Sequence, residues 1–576
     1  MKRKVSLELP PMAMSLRSTV GNKTGTWRYL RPIPVEGIAP CNESCLVVQD
    51  IERMILYITK GKFQEAYAQL SMENPMPSVL GRVCPHPCEG SCNREQFDEP
   101  VSIQALERFI GDYGLKRGKL SAPLRPMRKE EIAVIGSGPA GLSCSYHLAR
   151  MGYKVTIFEA MPVLGGKLRW AIPEYRLPKR ILDQEIEKIL SLGIRVRKKV
   201  KVGRDIPFKD LKRYQAVFIA TGGQKSLPLQ LRGEGSKSVV SGLEFLKGLN
   251  LGEGVSPGSK PVVIGGGNTA IDVARSCLRL GSSPVILYRR SREEMPAYKE
   301  EVEEAEREGI PIRYLVTPIR IMREKGRVVG VECTKMRMGK PDASGRRSPI
   351  PIRGSSFFVE TDQVIRAIGE TGDLAFLSRE VRSTDDLIST GPQMTTSHPG
   401  VFAGGDVIAQ PRSVGHAILS GKKAAISIDC YLKGRDVKEA YRTIQVGTKG
   451  GVFLEAYLRP GEMNLEGKKV VGFGEINTSY FEKSPRLKGK ALSQEKVLRG
   501  FDEINLGLDR ASAVRSAERC FQCGLCNSCR NCDLFCPDLA VLMKGKGPEI
   551  NYDHCKGCGI CVQECPRGAL KLAEEA

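Results

Sequence analysis

The sequence has 576 residues, a hydrophobic content of 41% and a formal net charge of +23 at pH 7. This length exceeds what one hydrophobic core supports and predicts about three to five domains. The basic residues are dispersed among acidic ones, which argues against nucleic acid as a partner and indicates a solvated surface that also attracts anionic partners. No run of 18 apolar residues occurs and the first residues contain no apolar export core, so we expect a cytoplasmic protein without a membrane span.

Residues 1–125 are predicted to be helical. Apolar residues recur at helical spacing from Ile51 to Tyr57 and from Phe63 to Leu70, and Lys60-Gly61 separates the two segments. Five cysteines lie around them: Cys41, Cys45, Cys84, Cys88 and Cys92. Because five cysteines exceed one four-ligand site and do not fill two, structural zinc is an alternative to iron–sulfur clusters at this point.

The stretch from Glu131 to Ala160 has the pattern of a nucleotide-binding βαβ unit. Ile132 to Ile135 is typical of a buried parallel strand, a glycine-rich turn and a helix follow, and Val155 to Phe158 is the second strand. In such a turn the glycines allow a tight bend, close approach of the backbone to a pyrophosphate, and packing of helix on strand. The predicted contacts are Gly136, Ser137, Gly138, Pro139, Ala140, Gly141 and, for a ribose, Glu159. The alternative is a glycine-rich turn with a packing role only.

A second unit of the same kind begins at Lys260. A strand from Pro261 to Ile264 leads to a glycine loop, a helix from Ile271 to Leu280 and a strand from Val285 to Leu287. The predicted contacts are Gly265, Gly267, Asn268 and Thr269, with Arg289, Arg290 and Arg292 after the second strand. Guanidinium groups there, where an NAD site usually has an acid, favour the 2′-phosphate of NADPH over NADH. A solvated basic strand end is the alternative.

Further strands are predicted around these two units. Ala216 to Ala220 ends at Thr221-Gly222, where the backbone can approach a bound nucleotide. Gly330 to Ile368 is rich in Val, Ile and Phe and predicts strands, interrupted by a polar loop from Met338 to Pro349 that we expect to be exposed or disordered.

The end of the chain contains two cysteine runs of the bacterial ferredoxin type. Each run has the form CxxCxxCxxxCP, in which the fourth cysteine binds the other cluster. One [4Fe-4S] cluster is therefore predicted on Cys526, Cys529, Cys532 and Cys565. The other is predicted on Cys536, Cys555, Cys558 and Cys561. Cys520 and Cys523 are left over, and zinc knuckles are the alternative.

Three segments, PCNESC, ENPMPSVLGRVCPHPCEGSCNR and VSIQALERF, resemble the N-terminal iron–sulfur domain of the glutamate synthase small subunit and of dihydropyrimidine dehydrogenase. The resemblance implies two [4Fe-4S] clusters and a carboxylate ligand at Glu107, although the CxxC that the family has before Cys41 is missing here. The segment from Leu164 to Ile194 resembles the part of the same family beside the flavin, which implies FAD contacts at Lys167 and Arg176.

Gly405 and Asp406, followed by a helix from about Ser413 to Leu432, are similar to the segment that closes the FAD domain in two-dinucleotide flavoproteins. We therefore expect an α/β two-dinucleotide-binding flavoprotein, with the NADPH domain inserted in the FAD domain, a helical iron–sulfur domain before it and a bacterial ferredoxin-like domain after it. The predicted ranges are 1–125 for the iron–sulfur domain, 126–240 and 366–435 for FAD, 241–365 for NADPH, 436–515 for a connecting extension and 516–576 for the ferredoxin-like domain.

The ligand count predicts a cluster that both ends of the chain share. The first domain offers five cysteines and Glu107, six ligands where two clusters need eight, and the last domain offers ten cysteines where two clusters need eight. One cluster would use Cys45, Cys84, Cys88 and Glu107. A fourth would use Cys41, Cys92, Cys520 and Cys523. Three clusters, with Cys520, Cys523 and one or two other cysteines free, are the alternative.

The whole chain resembles NADPH-oxidising flavoproteins of the glutamate synthase small-subunit type, and TGTWRYLRP is similar to the β subunit of bacterial NADPH-dependent Fe(III) oxidoreductases. The resemblance implies an electron-transfer subunit that exchanges a hydride between NADP(H) and FAD and passes single electrons through clusters. Its partner would be a 2-oxoacid, aldehyde, glutamate synthase-like or Fe(III)-reducing subunit, or ferredoxin. No catalytic nucleophile is expected. Flavin-based electron bifurcation and a non-catalytic cluster scaffold are the alternatives.

Overall fold

The computed structural model describes residues 23–117, 127–342, 345–377, 381–461, 463, 465–545 and 547–575. The first residues, which we expect to carry no export signal, lie outside this part of the chain. Among the described residues, no helix is both long and apolar enough to span a bilayer.

The first sheet is parallel and contains the first predicted βαβ unit. Its strand order is Val401–Ala403, Ala216–Ile219, Glu131–Ile135, Lys154–Glu159 and Arg195–Lys198. The helices of this domain are Pro139–Arg150, Lys167–Trp170, Lys179–Leu190 and Val414–Leu432, and a small strand pair joins Ser383–Thr384 to Leu387–Ile388. The central strand is buried beyond its first residue, because a parallel sheet is covered on both faces, and this burial explains its continuous apolar run.

The second sheet is also parallel. Its strand order is Ile312–Tyr314, Val285–Tyr288, Val262–Ile264, Val364–Arg366 and Val239–Ser241, and its helices are Gly242–Leu251, Asn268–Arg279 and Lys299–Arg307. In the chain, this sheet lies between the strands Ala216–Ile219 and Val401–Ala403 of the first sheet, so one nucleotide domain is inserted in the other, as predicted. The two connections pair with each other as the antiparallel strands Lys225–Ser226 and Glu370–Thr371.

An antiparallel sheet extends the inserted domain. Its strands are Val316–Glu324, Arg327–Pro341, Arg347–Pro351 and Phe357–Glu360. The prediction of a loop at 338–349 is wrong, because residues 336–338 pair with 349–351 in a hairpin. The predicted exposure is confirmed, since none of the described residues from 338 to 349 is buried. Gly345 has a φ of +76° at the turn, and its amide donates to the carbonyl of Asp342 at 2.9 Å. Polar residues occur in this hairpin because one face of an antiparallel sheet can contact water.

The N-terminal region is helical, as predicted. Its helices are Pro40–Ser44, Ile51–Thr59, Phe63–Glu73, Pro77–Val83, Pro87–Gly90 and Ile103–Leu115. Residues 436–515 form the helices Val437–Ile444, Leu454–Leu458 and Gln494–Leu498, and the strand pairs Gln445–Val446 with Gly451–Val452 and Lys490–Ala491 with Asn505–Gly507. Val452, Leu454 and Val471 are completely buried, so this segment, expected only to connect, contributes to the hydrophobic core.

The two ends of the described chain contact each other. The C-terminal region contains the helices Asn531–Leu534 and Ile560–Gln563 and the hairpin of Val541–Lys544 with Gly547–Ile550. Its last strand, Leu570–Glu574, pairs antiparallel with Leu30–Pro34. Helix Arg510–Glu518, which comes before this C-terminal region in the chain, packs against helices Ile51–Thr59 and Ile103–Leu115. The tail is therefore docked on the N-terminal domain.

Candidate nucleotide cleft and iron–sulfur sites

One continuous cleft of about 1410 Å³ contacts both glycine loops. It brings together most of the predicted nucleotide contacts: Gly136, Ser137, Gly138, Pro139, Ala140, Glu159, Lys167, Arg176, Thr221, Gly222, Gly265, Gly267, Asn268, Thr269, Arg289, Arg290, Gly405 and Asp406. Gly141 and Arg292 do not line it. The two nucleotide domains therefore face a common space.

The first glycine loop is shaped to accept a ligand. Gly136 has a φ of +101°, and a Cβ there would clash with the carbonyl oxygen of Ala220. A Cβ on Gly141 would clash with the carbonyl oxygen of Gly136, so this glycine serves packing. A Cβ on Gly138 would meet no atom within 4 Å, which leaves open space beside the start of helix Pro139–Arg150. Backbone amides at a helix start attract phosphate, so the loop fits a dinucleotide.

Glu159 ties the end of its strand to the glycine loop. Its carboxylate accepts hydrogen bonds from the amide of Ser137 at 2.9 Å and from the Ser137 hydroxyl at 2.6 Å. The amide of Met161 donates to the other carboxylate oxygen at 2.8 Å. This bracing role was not anticipated from the sequence, and contact with a ribose stays a prediction.

Lys167 and Thr221 present polar groups to the cleft. The Lys167 ammonium lies 3.0 Å from carboxylate oxygens of both Glu370 and Asp406. Burial lowers the pKa of Lys167, but Asp406 and Glu370 raise it by more, so the net pKa lies above the ordinary lysine value and the group is charged. The buried Thr221 hydroxyl has no hydrogen-bond partner among the described residues, which fits a polar ligand at this place.

Arg176 connects the two nucleotide domains. Its guanidinium donates to both carboxylate oxygens of Asp272, at 2.9 and 2.8 Å, and forms an ion pair with Glu301 at 2.9 Å. Asp272 lies on helix Asn268–Arg279 of the inserted domain. Burial raises the pKa of Asp272 to about 6, although Arg176 opposes that shift. The sequence pattern did not indicate this bridge, and the predicted FAD contact of Arg176 stays a prediction.

The three arginines after strand Val285–Tyr288 have different surroundings. Arg289 is exposed and lines the cleft. Arg290 also lines it, but its guanidinium is held by Asp342 at 2.6 Å and by the carbonyl of Arg347 at 2.9 Å. Arg292 pairs with Glu306 at 2.8 Å, away from the cleft. Arg346, from the hairpin that was expected to be a loop, lines the cleft instead.

A second, small cavity is lined by the predicted ligands Cys45, Cys84, Cys88 and Glu107. Glu107 is buried and accepts hydrogen bonds at 2.8 Å from Gln49, Asn74 and His86. Burial, and then the nearby Glu107 carboxylate, raise the pKa of Cys45 to about 11. These residues fit a buried cluster with three thiolates and one carboxylate.

This cavity lies next to the nucleotide cleft. Cys84 lines the cavity, and the preceding residue, Val83, lines the cleft. Leu46, which follows Cys45, touches the start of helix Val414–Leu432, where a Cβ on Gly415 would lie 2.6 Å from the Leu46 Cβ. Val414 itself lines the cleft. A cluster in the cavity would therefore be adjacent to a cofactor in the cleft.

The ferredoxin-type cysteines lie near one another in the C-terminal region, and their division into two clusters of four stays a prediction. Burial raises the pKa of Cys532 to about 11, with further contributions from Cys529, Cys526 and Cys565. Burial likewise raises the pKa of Cys561 to about 12, with contributions from Cys555, Cys558 and Cys536 among its neighbours. Cys529 and Cys558 are exposed. Within the described ranges, no three His, Cys, Asp or Glu side chains are placed to hold a single metal ion.

The fold has one nucleotide domain inserted in another, both glycine loops on one cleft, and cysteine groups in its N-terminal and C-terminal regions. These features define an oxidoreductase with two nucleotide-binding domains and added iron–sulfur domains. The chain belongs to the pyridine nucleotide-disulphide oxidoreductase family, whose model matches residues 130–421. Residues 37–119 match dihydropyrimidine dehydrogenase domain II with its 4Fe-4S cluster, and residues 548–571 match the 4Fe-4S binding domain. These matches favour 4Fe-4S clusters over the zinc alternative in the two segments.

Three relatives extend the comparison. The NADP(+)-dependent formate dehydrogenase subunit beta of Moorella thermoacetica is 40% identical over 84% of this chain and 70% of its own. The NADPH-Fe(3+) oxidoreductase subunit beta of Geobacter sulfurreducens is 36% identical over 84% of this chain and 75% of its own. The glutamate synthase [NADPH] small chain of Azospirillum brasilense is 33% identical over 69% of this chain and 87% of its own. The predicted family, fold class and enzyme class, an oxidoreductase with an FAD-type domain and 4Fe-4S domains, are confirmed.

Proposed function

We propose that this chain is the electron-transfer subunit of a larger complex and that it exchanges electrons between NADP(H) and a partner oxidoreductase subunit. The observation that carries the proposal is the single cleft that contacts both glycine loops and lies beside the Cys84 cavity. A flavin bound in that cleft supplies the change between hydride, which carries two electrons, and clusters, which carry one.

The chain's own residues bind and orient the nucleotides. Backbone amides beside Gly138 hold the FAD pyrophosphate, and the charged Lys167, anchored by Asp406, contributes a cation on the flavin side. Arg289 holds the 2′-phosphate of NADPH, because a guanidinium group can bind phosphate with two parallel hydrogen bonds, and Arg290 and Arg346 add positive charge beside it. NADPH is therefore the proposed nucleotide, in preference to NADH.

Electrons leave or enter through the ferredoxin-like region. Cys529 and Cys558 are exposed, so the clusters that they bind lie close to the surface. Exposed apolar side chains, Leu534, Phe535 and Leu539, lie in the same region and suit contact with a partner subunit. The relatives named above are beta subunits or small chains, which supports a partner with its own redox centre. We propose four [4Fe-4S] clusters in all, and a reducing compartment such as the cytoplasm, because all 19 cysteines lack disulfide partners.

The test uses anaerobically purified full-length protein. NADPH should bleach the flavin absorbance, and NADH should do so only at much higher concentration. Gly138→Ala should lose bound FAD by at least about tenfold in affinity, since the added methyl group enters the open space of the cleft. Gly235→Ala is the matched control, because its Cβ also meets open space but lies outside the cleft. A colourless wild-type protein, or equal loss of FAD in both variants, would contradict the proposal.

A further inference from the structure

Four cysteines from both ends of the chain lie together in the folded protein. Cys41 belongs to helix Pro40–Ser44, and Cys92 follows the next cysteine-bearing helix, Pro87–Gly90. Cys520 and Cys523 come directly after helix Arg510–Glu518. Helix Pro40–Ser44 packs against helix Pro87–Gly90, which brings Cys41 near Cys92, and the side-chain amide of Asn93, next to Cys92, contacts the sulfur of Cys523.

Direct contacts hold the tail against the N-terminal domain at this place. The amide of Gly37 donates to the carbonyl of Gly524 at 3.3 Å, and a Cβ on Gly524 would lie 2.7 Å from the Gly37 oxygen. The Arg94 guanidinium donates to the carbonyl of Arg519 at 2.6 Å. Phe521 is 2% exposed, with its ring 5.7 Å from that of Phe97. The tail loop is therefore fixed by backbone, charged and aromatic contacts at once.

Polar groups around the four sulfurs suit thiolate ligands. The side-chain amide of Asn93 donates to the Cys523 sulfur at 3.4 Å and to the carbonyl of Val471 at 3.0 Å. The backbone amide of Gln522 donates to the Cys520 sulfur at 3.3 Å. Hydrogen bonds to sulfur stabilise the negative charge of cluster ligands and tune their potential. All four cysteines lie largely within the protein, and none is exposed.

No other predicted site uses these four cysteines. Cys45, Cys84, Cys88 and Glu107 line their own cavity, and the eight ferredoxin-type cysteines are the predicted ligands of two other clusters. The other four cysteines of the chain, Cys144, Cys277, Cys333 and Cys430, are buried singly in the nucleotide domains. Four cysteines that are brought together from both ends of the chain, none of them exposed, match in number and kind the ligands of a [4Fe-4S] cluster.

We propose that Cys41, Cys92, Cys520 and Cys523 bind a [4Fe-4S] cluster that is assembled from the two ends of the chain. Cys41 lies in helix Pro40–Ser44 and Cys45 directly follows that helix, whereas Cys523 is three residues before Cys526. The proposed site is therefore linked by short chain segments to the N-terminal site on one side and to the first ferredoxin-type site on the other. A cluster held by these residues would relay single electrons between its two neighbours. This role rests on the proposed function, whereas the assignment of the four ligands does not.

Metal analysis of the anaerobically purified full chain tests the proposal without any variant. We expect about 16 iron atoms and about 16 acid-labile sulfides per chain, since four clusters hold four of each. About 12 iron atoms would overturn the proposal, and about 12 iron atoms with one zinc would assign the four cysteines to zinc instead.

Variants from the two ends test whether the site is shared. Three variants are compared: Cys41→Ala, the double variant Cys520→Ala with Cys523→Ala, and the triple variant that combines them. Each should lose about four iron atoms and one reduced-cluster signal in electron paramagnetic resonance. Cys333→Ala, in a buried position of the antiparallel sheet, is the control and should lose none. Iron loss from Cys41→Ala but not from the tail variant would overturn the shared site. If a variant does not fold, the wild-type iron count decides, and flavin bleaching by NADPH reports on the proposed function separately.

Discussion

At the scale of single residues, Arg289 differs from the two other arginines of its strand end. It is exposed in the cleft and makes no hydrogen bond or ion pair with another described residue, whereas Arg290 is held by Asp342 and Arg292 by Glu306. An unengaged guanidinium can form its hydrogen bonds with a ligand phosphate. The pattern of three arginines predicted NADPH, but the fold distinguishes which of them is available.

Arg289→Ala should weaken NADPH much more than NADH. Loss of a charge-assisted hydrogen bond to the 2′-phosphate costs about 1.5–3 kcal/mol, which is about a tenfold or greater rise in the KM for NADPH. Arg292→Ala is the matched control and should leave the NADPH to NADH ratio unchanged, because its partner is Glu306 outside the cleft. Equal losses for both nucleotides in Arg289→Ala would reject the phosphate assignment.

Glu185 provides a residue-scale prediction of pH dependence. Burial is the largest influence on its pKa and raises it, and the nearby Asp112 carboxylate raises it further. The hydrogen bond from the Ser78 amide and the charges of Lys188 and Arg82 lower it, and the net pKa is about 8. In the unfolded chain a glutamate titrates near 4.3, so between about pH 4.3 and pH 8 the unfolded state releases a proton that the folded state keeps. The stability contributed by this group therefore falls as the pH rises through that window.

Glu185→Gln should remove this dependence, since glutamine keeps an acceptor for the Ser78 amide and does not titrate. From pH 5 to pH 7 the free energy of unfolding of the wild type should fall by about 2–3 kcal/mol relative to that of the variant. Urea denaturation at the two pH values measures this difference. Glu187→Gln, exposed on the same helix, is the control. A constant difference between variant and wild type at both pH values would contradict the assignment.

At the scale of elements, helix Val414–Leu432 joins the FAD-type domain to the N-terminal domain. Its Lys422 is completely buried, and the ammonium lies 2.6 Å from the Glu73 carboxylate at the end of helix Phe63–Glu73. The same ammonium donates to the carbonyls of Val47 and Val48, which follow the cysteine-bearing loop, at 2.6 and 3.2 Å. The start of this helix lines the cleft, so one element fixes the cavity of Cys45 relative to the nucleotide site.

Lys422→Met should strongly destabilise this junction. Removing one partner of a buried ion pair leaves an unpaired buried charge, which costs about 3–5 kcal/mol. Lys260→Met is the matched control, because its pair with Glu360 is exposed and contributes about 0–1 kcal/mol. Thermal unfolding of the loaded protein measures both, and equal shifts in the two variants would contradict the role of Lys422.

At the scale of the whole molecule, the described residues hold nucleotide folds and cysteine groups but, beyond the cleft, no constellation that would transform an organic substrate. The purified chain should therefore reduce viologen dyes with NADPH and show no activity on 2-oxoacids or aldehydes. Steady-state assays with each substrate, in the absence of any partner subunit, check this expectation. Conversion of a carbon substrate by the isolated chain would contradict a pure electron-transfer role.

Local patterns in the sequence determined much of this architecture. The strand, glycine loop and helix of each nucleotide unit are consecutive, so spacing alone predicted both units. The predicted strands, Ile132 to Ile135 and Pro261 to Ile264, each differ by one residue from the observed Glu131–Ile135 and Val262–Ile264. The ferredoxin-type grouping followed from ligand spacing for the same reason. Residues 436–515 escaped prediction, because their buried side chains are scattered and acquire a core position only by packing on distant helices.

Tertiary structure alone decided how distant residues combine. Counting ligands predicted that Cys41 and Cys92 need partners, but only the docking of the tail brings Cys520 and Cys523 to them, across more than four hundred residues of chain. The pairing of Arg176 with Asp272 and the approach of Arg346 to the cleft are equally non-local. Periodicity and spacing carry information over a few turns of helix or strand, whereas contacts between separate domains depend on which buried surfaces fit together once the chain has folded.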